Sequence, residues 1–201
     1  LDKRTHQPLY ETPITTILNA DIPVTREGVV ACPGVTGGVL WSSPAYHPGE
    51  KILLTSSIDY CSRFRAAGDV RFIPGQLYMG GDARHEGDMS GWITAVDVES
   101  GETRWKHQTE FPNVAAVTTT AGGLAISGTL AGDLLFFDVA TGAVLNGIAT
   151  GAQIGGGNIS YSVEGKQYIA VGSGLGMLTI RPPQLGLPRQ SSIIVYALPS
   201  N

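Results

Sequence analysis

Charge is scarce in this chain: only 15% of its 201 residues are Asp, Glu, Lys or Arg, and the net charge is −4. That leaves no basic stripe for nucleic acid and no polybasic cluster for an anionic membrane surface. Long apolar runs are missing too, since none approaches the ~20 residues that span a bilayer as a helix. The first residues are charged and lack the apolar core of a signal peptide. Cysteine is limited to Cys32 and Cys61, which allow at most one disulfide. Its loop of about 29 residues would contribute roughly 3–4 kcal/mol in the chain-entropy model. Two buried free thiols are the alternative, and the pair alone does not decide the redox compartment. The histidines at 6, 47, 85 and 107 lack the close spacing of metal ligands and read as surface or turn residues. No phosphate-cradling loop followed by lysine occurs, and no nucleophile elbow.

What the chain does have is glycine, 27 residues of it, and 12 prolines. With β-branched runs between them, this composition predicts many short strands joined by turns. The most organised stretch is 91–105, GWITAVDVESGETRW. It reads as an apolar strand, an acidic turn closed by Gly101, a polar return strand and Trp105, a ring large enough to fill space between layers. The pattern returns at 132–146 as GDLLFFDVATGAVLN, with Asp138 and Gly142 in the places of Asp97 and Gly101, 41 positions on. Asn146 stands where Trp105 stands, so that copy is degenerate. A worn third copy opens the chain, with Leu1-Asp2-Lys3-Arg4-Thr5 followed by Pro8-Leu9-Tyr10. One aspartate per repeat is better read as a turn residue than as half of a catalytic carboxylate pair.

In chain order, residues 11–30 are expected as a long connecting loop. Strands are expected at 42–46 and 51–57, then an irregular surface excursion over 58–76 carrying Arg63, Arg65 and Arg71. A short strand at 77–80 and turn chemistry at 81–90 lead into the first full motif. Beyond Trp105, strands are expected at 114–120, 124–128, 133–139 and 144–149, then a glycine-rich link at 151–157. A hairpin over 158–171 and a final strand at 191–198 complete the pattern. Four short strands in about 40 residues is the period of propeller blades. The reading is an all-β chain, a partial β-propeller with blades at about 41–107, 114–150 and 158–198, and with residues 1–10 as the outer strand of a preceding blade. The chain reads as the carboxy-terminal part of a longer protein, its export signal expected upstream.

Cys32-Pro33-Gly34, Gly37-Gly38, Trp41, Pro44-Ala45-Tyr46, Pro48 and Cys61 fall in one order with further motifs. These are AVDVESGETRW, TTAGGLAISGTLAGDL at 119–134, YSVEGKQYIAVGSG at 161–174 and the ending IIVYALP. The ordered set resembles the methanol/ethanol family of pyrroloquinoline-quinone (PQQ) dehydrogenases. The resemblance implies an eight-bladed propeller, of which this chain would form the last three or so four-stranded blades, with repeated tryptophan docking motifs. It implies PQQ near the ring axis beside a calcium or lanthanide ion, oxidation of primary alcohols, a periplasmic location and cytochrome c as electron acceptor. A homodimer is a further expectation. The family also has a disulfide at the place of Cys32 and Cys61.

The same resemblance assigns no catalytic residue and no metal ligand to this chain; those belong upstream, and the fragment alone is expected to be inactive. It points to Leu40, Trp41 and Leu175 as residues bordering the cofactor. Two departures accompany it. Leu40 replaces the asparagine whose amide would bond the quinone, and a buried partner left without its bond loses about 1–3 kcal/mol. Leu178 falls where some members carry a tryptophan over the substrate pocket. Both lean towards an alternative, a scaffold or binding propeller that kept its docking motif and lost its chemistry. A complete small β-domain is a third reading.

Overall fold

In the computed structural model, which describes residues 2–69, 71–76, 79–174, 186 and 190–197, the chain folds into three antiparallel sheets with no helix among the described residues. The first sheet comprises β1 (Val29–Ala31), β2 (Ala45–His47), β3 (Ile52–Ala66), β4 (Gly81–Asp97) and β5 (Thr103–Thr109). The second runs in chain order through β6 (Val117–Thr119), β7 (Leu124–Gly128), β8 (Asp133–Asp138) and β9 (Val144–Ala149). The third holds β10 (Asn158–Val163), β11 (Lys166–Ser173) and β12 (Ser192–Ala197). The second and third sheets are meanders, while in the first β1 and β2 share one edge of β3, and β6 touches both β2 and β10. This is the arrangement of propeller blades.

Alternate residues face neighbouring sheets, as a period of two requires. Ile52, Leu54, Ile93, Ala95 and Trp105 of the first blade pack on Val117, Ala125, Phe137 and Val139 of the second. Ile126, Leu134 and Phe136 face the third blade and meet Val171, with Ile169, Ile194 and Tyr196 at the margin. The glycine-rich link, expected as a simple connection, carries Ile154 into this core fully buried. A Cβ on Gly128 would collide with that side chain, which is why β7 ends on glycine.

The two motif copies form the same turn. The carbonyl of Asp97 accepts from Gly101 N at 2.9 Å, and that of Asp138 from Gly142 N at 2.9 Å. Each aspartate Oδ1 accepts main-chain N–H bonds from inside the turn, from Glu99 and Ser100 in one copy and Thr141 in the other. The worn copy is a turn of the same kind: Asp2 O accepts from His6 N at 2.8 Å, and Asp2 Oδ1 accepts from Arg4 N and Thr5 N. His6 takes the left-handed φ of 59° where Gly101 has 78° and Gly142 has 73°. Donated hydrogen bonds hold all three carboxyls below their ordinary pKa. For Asp2 and Asp97 the main-chain bonds contribute most, and for Asp138 the Thr141 hydroxyl does.

Trp105 docks on the next copy's turn. Its Nε1 donates to Val139 O at 2.9 Å, and its ring stacks on Phe137 with centroids 6.0 Å apart. A Cβ on Gly142 would lie 2.5 Å from the indole. Tyr10 occupies the same place one sheet earlier: its hydroxyl donates to Val98 O at 2.9 Å and its ring covers Gly101.

Three expectations need correction. The excursion at 58–76 and the turn chemistry at 81–90 are largely one long hairpin, because β3 and β4 run on together as far as Ala66 and Gly81. Its side chains are too polar to show a strand period, but ladder bonds are made by the main chain and need none. Within it Arg63 is paired with Glu86 through both Nε and Nη2, each at 3.1 Å. Residues 2–10 form no strand among the described residues, since no neighbour supplies them with a ladder. Nor are all the histidines surface residues: His47 is buried, its Nδ1 accepting from Glu50 N, and His107 is half-buried edge-on to Phe137 at 5.1 Å.

Replacing Trp105 by alanine should cost about 3–5 kcal/mol in urea unfolding. Gly142→Ala should also destabilise the chain, and the two losses should not add, because the added methyl clashes with the very ring that Trp105→Ala removes. Burial holds the His107 pKa below the ordinary histidine range, so the folded chain keeps it neutral where the unfolded chain takes a proton. Its contribution is therefore complete above that range and falls as the pH drops through it. The urea midpoint should fall less between pH 7.5 and 5.5 in His107→Gln than in the parent chain.

Candidate functional site

The inner edge of β3 is where chain length and sheet geometry disagree. Residues 29–47 all run along it: Val29 pairs with Phe64, Gly38 with Ile58 and Ala45 with Leu54. More residues lie on the inner chain than on the stretch of β3 they face, and the surplus is expelled as two loops. The first holds Cys32–Gly37. Here Gly34 sits so close to Tyr60 and Ser62 that any Cβ would clash, the close approach its sequence predicts. Cys32 and Cys61 form a disulfide, with Cα atoms 4.4 Å apart, tying this loop to β3.

The second loop holds Leu40 and Trp41, and the two residues part company. Trp41 is 62% exposed and stands off the sheet edge. Leu40 turns inward and packs with Ile58, Tyr60, Val114 and Leu130. The leucine that replaces an amide therefore has a packing role. Leu175 and Leu178 lie outside the described residues.

Beside this loop, residues 113–116 gather the three blades. Val114 O accepts from Ser42 Oγ and Ala115 O from Ser56 Oγ, both of the first blade. Ala116 O accepts from Asn158 Nδ2 of the third blade at 2.8 Å. Asn113, itself 2% exposed, accepts from Ala115 N through Oδ1, while its Nδ2 has no partner. A buried amide donor without an acceptor costs about 1–3 kcal/mol. Ser42, Ser56, Asn113 and Asn158 were missed in the sequence. Scattered polar residues of this kind carry no motif, and only their bonds to the main chain of residues 114–116 unite them.

Asp97 and Asp138 are turn residues in the structure, and Arg104 adds an ion pair to Asp97 at 3.0 Å. Among the described residues no group of three or more His, Cys, Asp or Glu side chains is placed to hold a metal ion. No helix among them is long and apolar enough to cross a membrane.

No protein-family model matches the chain. Its sequence is similar to the lanthanide-dependent methanol dehydrogenase of Methylacidiphilum fumariolicum, with 30% identity over 199 residues, 88% of this chain and 32% of that protein. It is similar also to the quinoprotein ethanol dehydrogenase of Pseudomonas aeruginosa, with 29% identity over 172 residues, 77% of this chain and 27% of that protein. In three dimensions it resembles a europium-containing methanol dehydrogenase, with a TM-score of 0.76 and 24% identity over 87% of this chain and 36% of that one. The chain thus spans about a third of the length of the curated relatives it matches, or less.

Opening the Cys32–Cys61 bridge by substituting both residues with serine should lower stability by roughly 3–4 kcal/mol. Chemical unfolding with and without the bridge measures this, and a loss confined to the oxidised chain ties it to the bond.

Proposed function

From the kinship of this chain with the PQQ-dependent quinoprotein alcohol dehydrogenases, we propose that it forms blades of a propeller that oxidises small primary alcohols. The observation that carries this reading is the exposed ring of Trp41 on an expelled loop whose Ser42 bonds Val114 O, next in the chain to an orphaned buried donor, Asn113 Nδ2. An exposed aromatic face and an unfilled amide donor suit the edge of a flat, acceptor-rich molecule. A bound quinone would supply the two-electron oxidation of the alcohol. The part of this chain is to support that group: Trp41 would lie against its face and exclude water, and Asn113 would meet a carbonyl or carboxylate. Leu175 is assigned to the same rim. The resemblance assigns the ligands of the calcium or lanthanide ion, together with the catalytic aspartate, to residues outside this chain, and no step is taken through the ion. The 201-residue fragment alone would then be inactive. A cytochrome c as electron acceptor, a periplasmic location and a homodimeric assembly complete the proposal.

A second reading, a scaffold propeller without redox chemistry, is favoured by one observation. Leu40 is committed to packing and offers the cofactor no hydrogen bond.

The protein containing this chain, reconstituted with PQQ and calcium or a lanthanide, should oxidise a primary alcohol in a dye-linked assay. Trp41→Ala should raise the PQQ concentration needed for half-activity by about tenfold, a loss of one ring contact. Quinone that neither binds nor supports turnover would leave the scaffold reading standing.

A further inference from the structure

Asn146, which replaces the tryptophan of the other motif copy, is followed by Gly147, and no other asparagine of the chain precedes a glycine. The fold holds the remaining described asparagines in other ways. Asn113 and Asn158 are buried, with 2% and 4% exposure. Asn19 is exposed, but its Nδ2 donates to Val30 O at 2.8 Å and Ala20 follows it. Asn146 and Gly147 are both exposed on β9, the outer edge of the second blade.

The sheet register leaves the Gly147 N–H outside the ladder. Thr150 N donates to Gly132 O, which makes Asp133 and Ala149 a pair of the non-hydrogen-bonded kind. Antiparallel pairs alternate in kind, so Leu135 and Gly147, two pairs on, are of that kind too. The Gly147 N–H therefore points away from β8, on the side where the second sheet has no further strand among the described residues. Its acceptor is Asn146 Oδ1 at 2.9 Å. A register shift between Phe136 and Phe137 leaves Leu145 unpaired and bends the strand just before this point. The hydrogen bond keeps the Asn146 carboxamide beside the main-chain nitrogen that follows it, and glycine has no Cβ to obstruct their approach.

We propose that Asn146 is a site of spontaneous deamidation, with Gly147 N as the nucleophile. Once hydroxide has taken its proton, this nitrogen attacks Asn146 Cγ. The N–Cγ bond forms, the Cγ–Nδ2 bond breaks, and ammonia leaves with a proton from water. Water then opens the cyclic imide. Opening at Cγ gives aspartate; opening at the α-carbonyl gives isoaspartate, whose main chain is one carbon longer. No electrons are transferred. Asn146 pairs with Phe136, so the longer main chain would put the rest of β9 out of step with β8.

The intact protein, kept folded in mildly alkaline buffer, is the sample, and peptide mass spectrometry that separates aspartate from isoaspartate is the readout. Conversion at Asn146 should run at least about tenfold faster than at Asn19, Asn113 or Asn158. It should slow in mildly acidic buffer, where hydroxide is scarcer, and Asn146→Ser should release no ammonia from this segment. Conversion only after unfolding in urea would overturn the proposal, since the fold would then protect the site. An equal or faster rate at any of the other three asparagines, or a rate indifferent to pH, would overturn it as well. Should Asn146→Ser fail to fold, the order of rates in the parent protein decides the matter alone.

Discussion

An aromatic ring laid against a glycine that has no side chain to obstruct it is the contact on which this structure depends. The apolar stripes of the sheets are narrow, and several of their central residues are small, Ala95, Ala115 and Ala125 among them. Sheets with so little bulk cannot close the space between one another near the outer edge, where propeller blades splay. Trp105 fills it, burying a large ring and paying no hydrogen-bond penalty because Val139 O receives its N–H. The turn beneath must expose bare backbone, and only a residue without Cβ leaves room. Aspartate at the start of the turn fixes that backbone by accepting its N–H groups. Ring, glycine and aspartate are therefore one device.

The inner rim follows a different rule. There the chain has residues to spare, and the excess along β3 is pushed off the sheet as loops. The disulfide and the closely approached Gly34 hold the first loop down. The second is held by Leu40 inside and leaves Trp41 outside. Opposite it, the carbonyls of 114–116 are bound by side chains from the blades on either side. A candidate ligand-facing residue is thus placed by surplus length and by its neighbour's burial.

Much of the fold was legible because its signals are local. The aspartate–glycine turns, the strands of the second blade and the hairpin at 158–171 are each written within a few residues. The opening stretch, expected as an outer strand, instead keeps only the turn of the repeat, with His6 in a glycine conformation. The long arm of β3 and β4 was not legible, because its residues are polar and its pairing is made by main-chain bonds that leave no mark on side-chain pattern. Of the candidate site, Trp41 was singled out by resemblance alone. The inward turn of Leu40 and the orphaned amide of Asn113 were not.

By itself the sequence determined the repeat, the turn chemistry and the kinship, since each depends on residue types at fixed short separations. Only the tertiary structure decided which ring meets which glycine and which way the Leu40–Trp41 pair divides. Those outcomes depend on what a neighbouring sheet presents at that point in space, and residues far apart in the chain supply it.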